Sequence, residues 1–304
     1  MRGVVSAGML TAIDDLGLSG VFDAVYACSS GSVNAAYFLA GESWYPLTIY
    51  FDDLNTKRFV DLRRFVLPGP ILDLEYVFEE VLLSVKPLRY DEILDGPTAL
   101  HVAVTMIDTL EPVDASDFTS EEDLKAGLRA SCWLPMAVPG TAGFRGRPAV
   151  DGGVLTAHPS LMAIADSCSH VLSLSTKPLK PPPRRFTASQ LASAAFMERL
   201  RRGLGRAYLD SVRRYRGHRA RLQRWMTEPG DGPVKVLDLA PLPWMDAVAK
   251  HQIALGPILT AARESHAIMT AAVEGISASA IRDGRFTSLP RLVSVRRADQ
   301  DRLS

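Results

Sequence analysis

Residues 22–39 read FDAVYACSSGSVNAAYFL. Phe22 to Cys28 is a short, mostly apolar run with the length of a buried strand. Ser29, Ser30, Gly31 and Ser32 interrupt it with small residues, and Val33 to Ala40 then reads as a helix rich in alanine. A serine therefore stands where a strand turns sharply into a helix. That geometry is a nucleophile elbow: the turn exposes the hydroxyl, and small neighbours let the backbone pass close by. The helix N-terminus adds free N–H groups and the positive end of a dipole, both favourable to a developing alkoxide. The usual form is G-x-S-x-G, and here Ala27-Cys28-Ser29-Ser30-Gly31 has alanine in the first place. The same residues also suit an ordinary strand–helix turn with a serine N-cap, so the pentapeptide alone leaves both readings open.

The composition sets the frame around this turn. The chain has 304 residues, 47% of them hydrophobic, with mean hydropathy +0.06, enough for one large domain or two with a sizeable core. No apolar run approaches the length of a membrane span. The first residues lack a basic-then-apolar leader pattern and carry Asp14 and Asp15 early. Cys28, Cys132 and Cys168 are too few and too scattered for a disulfide framework or a metal motif. A cytoplasmic protein without metal or other cofactor is the expectation. Net charge is zero but unevenly spread. Thr176 to Met226 holds 14 lysines and arginines against two acids, Glu198 and Asp210, a balance of +12 that leaves −12 for the remainder.

Along the chain, Ser6 to Leu16 reads as a helix closed by Gly17 and Gly20. Tyr45 to Phe51 and Asp73 to Val85 look helical, with a loop at Pro68-Gly69-Pro70 between them. Leu100 to Ile107 is a Val- and Thr-rich strand, and Glu121 to Ala130 a helix. Pro148 to Gly153 is a short strand ending in a turn, Pro159 to Ala165 a helix, and His170 to Ser175 a strand. Pro181 to Pro183 marks a break before basic helices at Ser189 to Met226. Val234 to Leu239 is a last strand, and Ile253 to Ile281 is mostly helix, with Pro257 at its first turn or a kink. The tail after Arg291 is expected to be mobile. Alternating strands and helices argue an α/β sheet covered on both faces.

A nucleophilic serine needs a base. His101, His158, His170, His218, His251 and His266 are available, and none sits in a recognisable motif. An α/β-hydrolase would place several strands before its nucleophile, whereas Ser29 follows one helix and one strand. Asp151-Gly152-Gly153 is the better candidate: a carboxylate at a strand end, followed by glycines that admit a close neighbour. Read alone, it is also a common Asp-Gly turn.

Taken together, these stretches resemble the patatin-like phospholipase family. Met1-Arg2-Gly3, Leu16-Gly17-Leu18, Phe22-Asp23, Ala27 to Gly31 and Asn34-Ala35-Ala36 follow its opening pattern. Ala130-Ser131, Pro135 and Asp151-Gly152-Gly153 follow its later one, so the resemblance covers about residues 1–175. It implies a three-layer α/β/α sandwich with a mainly parallel sheet, formed by a catalytic core at 1–180. Residues 181–304 are expected to be mostly helical and packed on the same domain. It also implies a Ser29–Asp151 dyad in which Asp151 takes the serine proton without histidine. Arg2, Gly3 and Ser30 would stand at the oxyanion or anion-binding position, and Gly31, Gly152 and Gly153 would be the motif glycines. The expected activity is hydrolysis of lipid esters, of a phospholipase A, lysophospholipase or esterase type. The alternative is a catalytically weak or inactive binding or regulatory protein of the same family. Met1 falls on the variable position of the family's G-G-G-x-R-G loop. The first strand and the glycines before Arg2 are absent, and the expectation is that the coding start lies upstream.

Three further features carry expectations. The basic segment at 184–224 could hold the protein peripherally against an anionic membrane, or form a solvated helical hairpin. Nothing points to nucleic acid. Cys28, adjacent to Ser29 in an extended run, should face away from the site into the core. Trp133, Leu134 and Met136 could line an acyl pocket or simply join the core.

Overall fold

The structure is a computed structural model that describes residues 1–42, 44–178, 185–228, 232 and 234–289. The chain opens with α1 (Val4–Asp15), β1 (Ala24–Cys28), α2 (Ser30–Leu39) and α3 (Tyr45–Asp52). A projecting loop leads to α4 (Leu74–Tyr76), which continues as a π-type helix over Val77–Val85 and is followed by α5 (Tyr90–Leu94). Next come β2 (Ala99–Met106), β3 (Glu111–Ala115), α6 (Glu121–Cys132), β4 (Ala142–Phe144), β5 (Arg147–Asp151) and α7 (Ser160–Ala165). The last part holds β6 (His170–Leu174), α8 (Ala188–Leu200), α9 (Leu204–Thr227), β7 (Lys235–Leu239), α10 (Leu255–Val273) and α11 (Ala278–Arg282).

The protein is α/β, as the alternating pattern requires. Parallel pairing joins β1 to β2 and β6 to β7, while β3, β4 and β5 enter antiparallel. β2 is the centre. β3 covers one of its edges from Val102 to Met106. The other edge is shared: β1 pairs with Ala99 to Ala103, and β5 with Val104 to Met106. β1 runs up that edge and β5 runs down it, so the two strands meet tip to tip.

Burial explains why the helices gather where they do. α1 is buried at ten consecutive positions, Val4 to Ile13, which suits a helix apolar and small-sided on all faces. It packs against α2, α3 and α10. Tyr37 of α2 is fully buried and satisfies its hydroxyl on the Lys86 carbonyl at 2.5 Å. The Lys86 ammonium, itself buried, pairs with Asp53 and, at 3.0 Å, with Asp52, locking α3 to the end of the π-type helix. Pro257 sits in the first turn of α10, where its missing N–H has no helical partner to lose. The basic stretch forms α8 and α9, α8 opening with a Thr187–Gln190 capping box. The break at Pro181 to Pro183 and the tail after Arg291 lie outside the described residues. Among the described residues, no helix is long and apolar enough to cross a membrane.

Candidate active site

Ser29 directly follows β1 with φ 57° and ψ −140°, a left-handed backbone that a residue with a Cβ adopts only under strain. The strain serves the turn: extended backbone reaches Cys28, and helix begins at Ser30. Asp151 ends β5 and is buried. The register on β2 brings the two ends together, Cys28 opposite Ala103 and Asp151 opposite Val104. Ser29 Oγ donates to Asp151 Oδ2 at 2.6 Å, the short length of a hydroxyl on a carboxylate. Asp151 Oδ1 accepts the Gly153 N–H at 2.7 Å, and the Asp151 N–H donates to the Trp133 carbonyl at 2.9 Å.

The Ala103 carbonyl is the common anchor. Ser131 Oγ, at the end of α6, donates to it at 2.7 Å and accepts the Ser29 N–H at 2.9 Å. Gly152 passes so close that a Cβ there would stand 2.0 Å from the same oxygen. The first glycine after Asp151 is therefore dictated by contact, as the motif suggests, whereas a Cβ on Gly31 would meet nothing within 4 Å.

Burial raises the Asp151 carboxyl above the usual carboxylate range, and the charge of Lys250 with the bonds from Ser29 and Gly153 pulls the other way. The carboxylate is thus a stronger base than a free aspartate, the property needed to take a hydroxyl proton. Lys250 is exposed to solvent, yet the protein packed around its ammonium pushes it below the ordinary lysine range. Among the described residues, no histidine bonds Ser29. His158 and His218 are instead linked through Ser160, whose Oγ lies 2.8 Å from His158 Nδ1 and 2.7 Å from His218 Nε2.

A sequence model described as patatin-like phospholipase matches residues 1–164, more than half of the chain. The chain belongs to the patatin-like phospholipase family. Across 87% of its length it is also 22% identical to the uncharacterized protein YjjU of Escherichia coli strain K12, covering 71% of that protein.

The patatin-like motif residues are not all placed alike. Gly3 packs against the elbow: a Cβ on it would lie 2.0 Å from the Tyr50 hydroxyl and 2.7 Å from Ser30 Oγ. Its carbonyl accepts from Asn34 Nδ2 at 2.9 Å, and Asn34 Oδ1 accepts from Tyr50 at 3.2 Å. Arg2 is turned elsewhere, its Nε donating to the Val248 carbonyl at 3.3 Å. Cys28 departs from expectation. Its Sγ lies 4.0 Å from Asp151 Oδ1 and its side chain is only half-buried, because strand alternation ends where Ser29 leaves the extended region. The protein packed around its sulfur, with the charge of Asp151 beside it, pushes its thiol well up, which works against a nucleophilic thiolate there. Trp133 and Leu134 are half-buried and Met136 is exposed, beside the carbonyl that holds Asp151. Ser131 appeared in the sequence only as part of an Ala-Ser pair, and Lys250 gave no signal at all. Away from Ser29 and Asp151, His101, Asp114 and Asp166 bring one ligand atom each within 4.8 Å of one another. The groove of about 500 Å³ between α8 and α9 shares no residue with the dyad.

Proposed function

We propose that the protein is a serine acyl hydrolase of lipid esters, of phospholipase A, lysophospholipase or esterase type, working through the Ser29–Asp151 dyad. The observation that carries this reading is the 2.6 Å bond from Ser29 Oγ to a buried carboxylate of raised basicity. The strained elbow supports it, since such strain is kept where it presents a reacting group. In the first step Asp151 Oδ2 takes the Ser29 proton while Oγ attacks the ester carbonyl. The carbonyl electrons move to its oxygen, which backbone N–H groups at Gly3 and Ser30 would hold. Collapse expels the alcohol, which leaves with the proton from Asp151, and Ser29 carries the acyl group. Water then gives its proton to Asp151, attacks the acyl carbon, and releases the acid as the proton returns to Ser29.

The test is hydrolysis of a short p-nitrophenyl ester. Wild type should turn over, and Ser29→Ala and Asp151→Asn should each lose at least about 10³-fold, the scale of removing a nucleophile or its base. Turnover at equal rates in all three would reject the dyad, and no turnover by wild type would favour the alternative, a patatin-like protein that binds or regulates without hydrolysis.

A further inference from the structure

Val66 is 87% exposed, Leu67 52% and Leu62 45%, all on one short loop. The loop is a tip on a buried stem. Phe59, Val60 and Ile71 are buried, the Asp61 N–H donates to the Ile71 carbonyl at 3.0 Å, and Val60 bridges Leu72. Beyond that neck, residues 62–64 and 66–70 are exposed, including Pro68-Gly69-Pro70. Folding gains nothing from apolar side chains held in water on a projecting tip, and such patches mark contact surfaces. Arg63 and Arg64 stand among them, with Lys57 and Arg58 at the neck, against the acids Asp61, Asp73 and Glu80. The tip thus presents exposed apolar side chains interleaved with arginine and a small excess of cations, the composition of a segment that enters a lipid interface.

Its mooring ties it to the dyad. The N–H groups of Ile71 and Leu72 both donate to the Ala137 carbonyl, at 2.8 and 3.0 Å. Ala137 closes a turn onto the Leu134 carbonyl, next in the chain to Trp133, whose carbonyl holds the Asp151 N–H.

We propose that the 62–70 loop inserts its tip into an anionic lipid bilayer and so brings that surface to the Ser29–Asp151 site. The choice of a bilayer as partner rests on the lipid-ester reading above. Arginine and lysine at the neck would meet anionic headgroups while Leu62, Val66 and Leu67 enter the acyl boundary.

The test is vesicle sedimentation of the full chain with phosphatidylcholine alone and with equal parts phosphatidylcholine and phosphatidylglycerol. Binding should favour the anionic vesicles and weaken with salt. The double variant Val66→Asp, Leu67→Asp should bind at least tenfold more weakly with an unchanged melting temperature, and Ser29→Ala should bind as wild type does. Equal binding by the double variant overturns the proposal. So does a loss of self-association in that variant on size-exclusion chromatography, since the tip would then join two copies. Hydrolysis of the soluble ester by wild type is read in parallel. Vesicle binding without hydrolysis leaves this surface standing and defeats the hydrolase reading, and hydrolysis without vesicle binding does the reverse.

Discussion

At Asp151 two demands conflict. Burial makes the carboxylate basic, and the same burial makes its charged form costly to hold in the fold. A folded-state pKa raised above the unfolded one means that the native state binds its proton more tightly. The destabilisation is therefore absent at pH below the unfolded value and grows as pH rises through the folded one. Asp151→Asn removes the charge, keeps an oxygen for the Gly153 N–H, and offers an amide toward Ser29. The variant should lose activity yet melt higher than wild type at neutral pH. Each kcal/mol recovered moves the midpoint by about 2–4 °C in domains of roughly 150–250 residues. A melting temperature at or below wild type, read by calorimetry, would count against the buried-charge account. Ser29 and Asp151 were both legible in the sequence because each sits at a strand end beside small residues. Ser131 and Lys250 were not. Ser131 acts through one hydroxyl bridging two backbone groups, and Lys250 acts on Asp151 through its charge, from a segment about a hundred residues further along the chain.

At the scale of elements, β2 works as a ruler. Because β1 and β5 share one of its edges, the separation of the dyad is fixed by the neighbouring positions Ala103 and Val104. The glycines beside the dyad then divide into two kinds. Gly152→Ala would drive a Cβ into the Ala103 backbone, 2.0 Å from its oxygen, where no side chain can swing aside. Gly31→Ala meets open space in the first turn of α2, where alanine is the better helix former. Urea titration should show Gly152→Ala strongly destabilised and Gly31→Ala as stable as wild type. The reverse order would mean that the register described here is wrong. Strong patterns such as Leu100 to Ile107 were legible as elements. β3, β4 and α5 were not: they are five, three and five residues long, and β4, Ala-Gly-Phe, has no periodicity to read until β5 supplies its partner.

At the scale of the molecule, a buried histidine, His218, and a half-buried one, His158, tie stability to pH. Burial chiefly, with nearby positive charge, pushes His158 down to about 3 and His218 down to about 4. Both are neutral in the fold at pH 7, while the unfolded chain protonates them near its ordinary value of about 6.5. The unfolded state thus binds more protons below that pH, and stability must fall as the solution is acidified. The loss runs from about pH 6.5 down toward the folded values, at up to about 1.4 kcal/mol per pH unit for each histidine. Calorimetry from pH 7.5 to 4.5 should show a steady drop in melting temperature, with a shallower slope in His218→Gln. A flat profile in wild type would contradict the desolvation of this pair.

The central claim is that Asp151 activates Ser29, and covalent labelling tests it most directly. A fluorophosphonate transfers its phosphonyl group to an activated serine with loss of fluoride, and intact-mass spectrometry with peptide mapping locates the adduct. The account predicts one adduct per chain, on Ser29, formed at least a hundredfold more slowly in Asp151→Asn. Labelling elsewhere with Ser29 untouched, or an equal rate in Asp151→Asn, would contradict it.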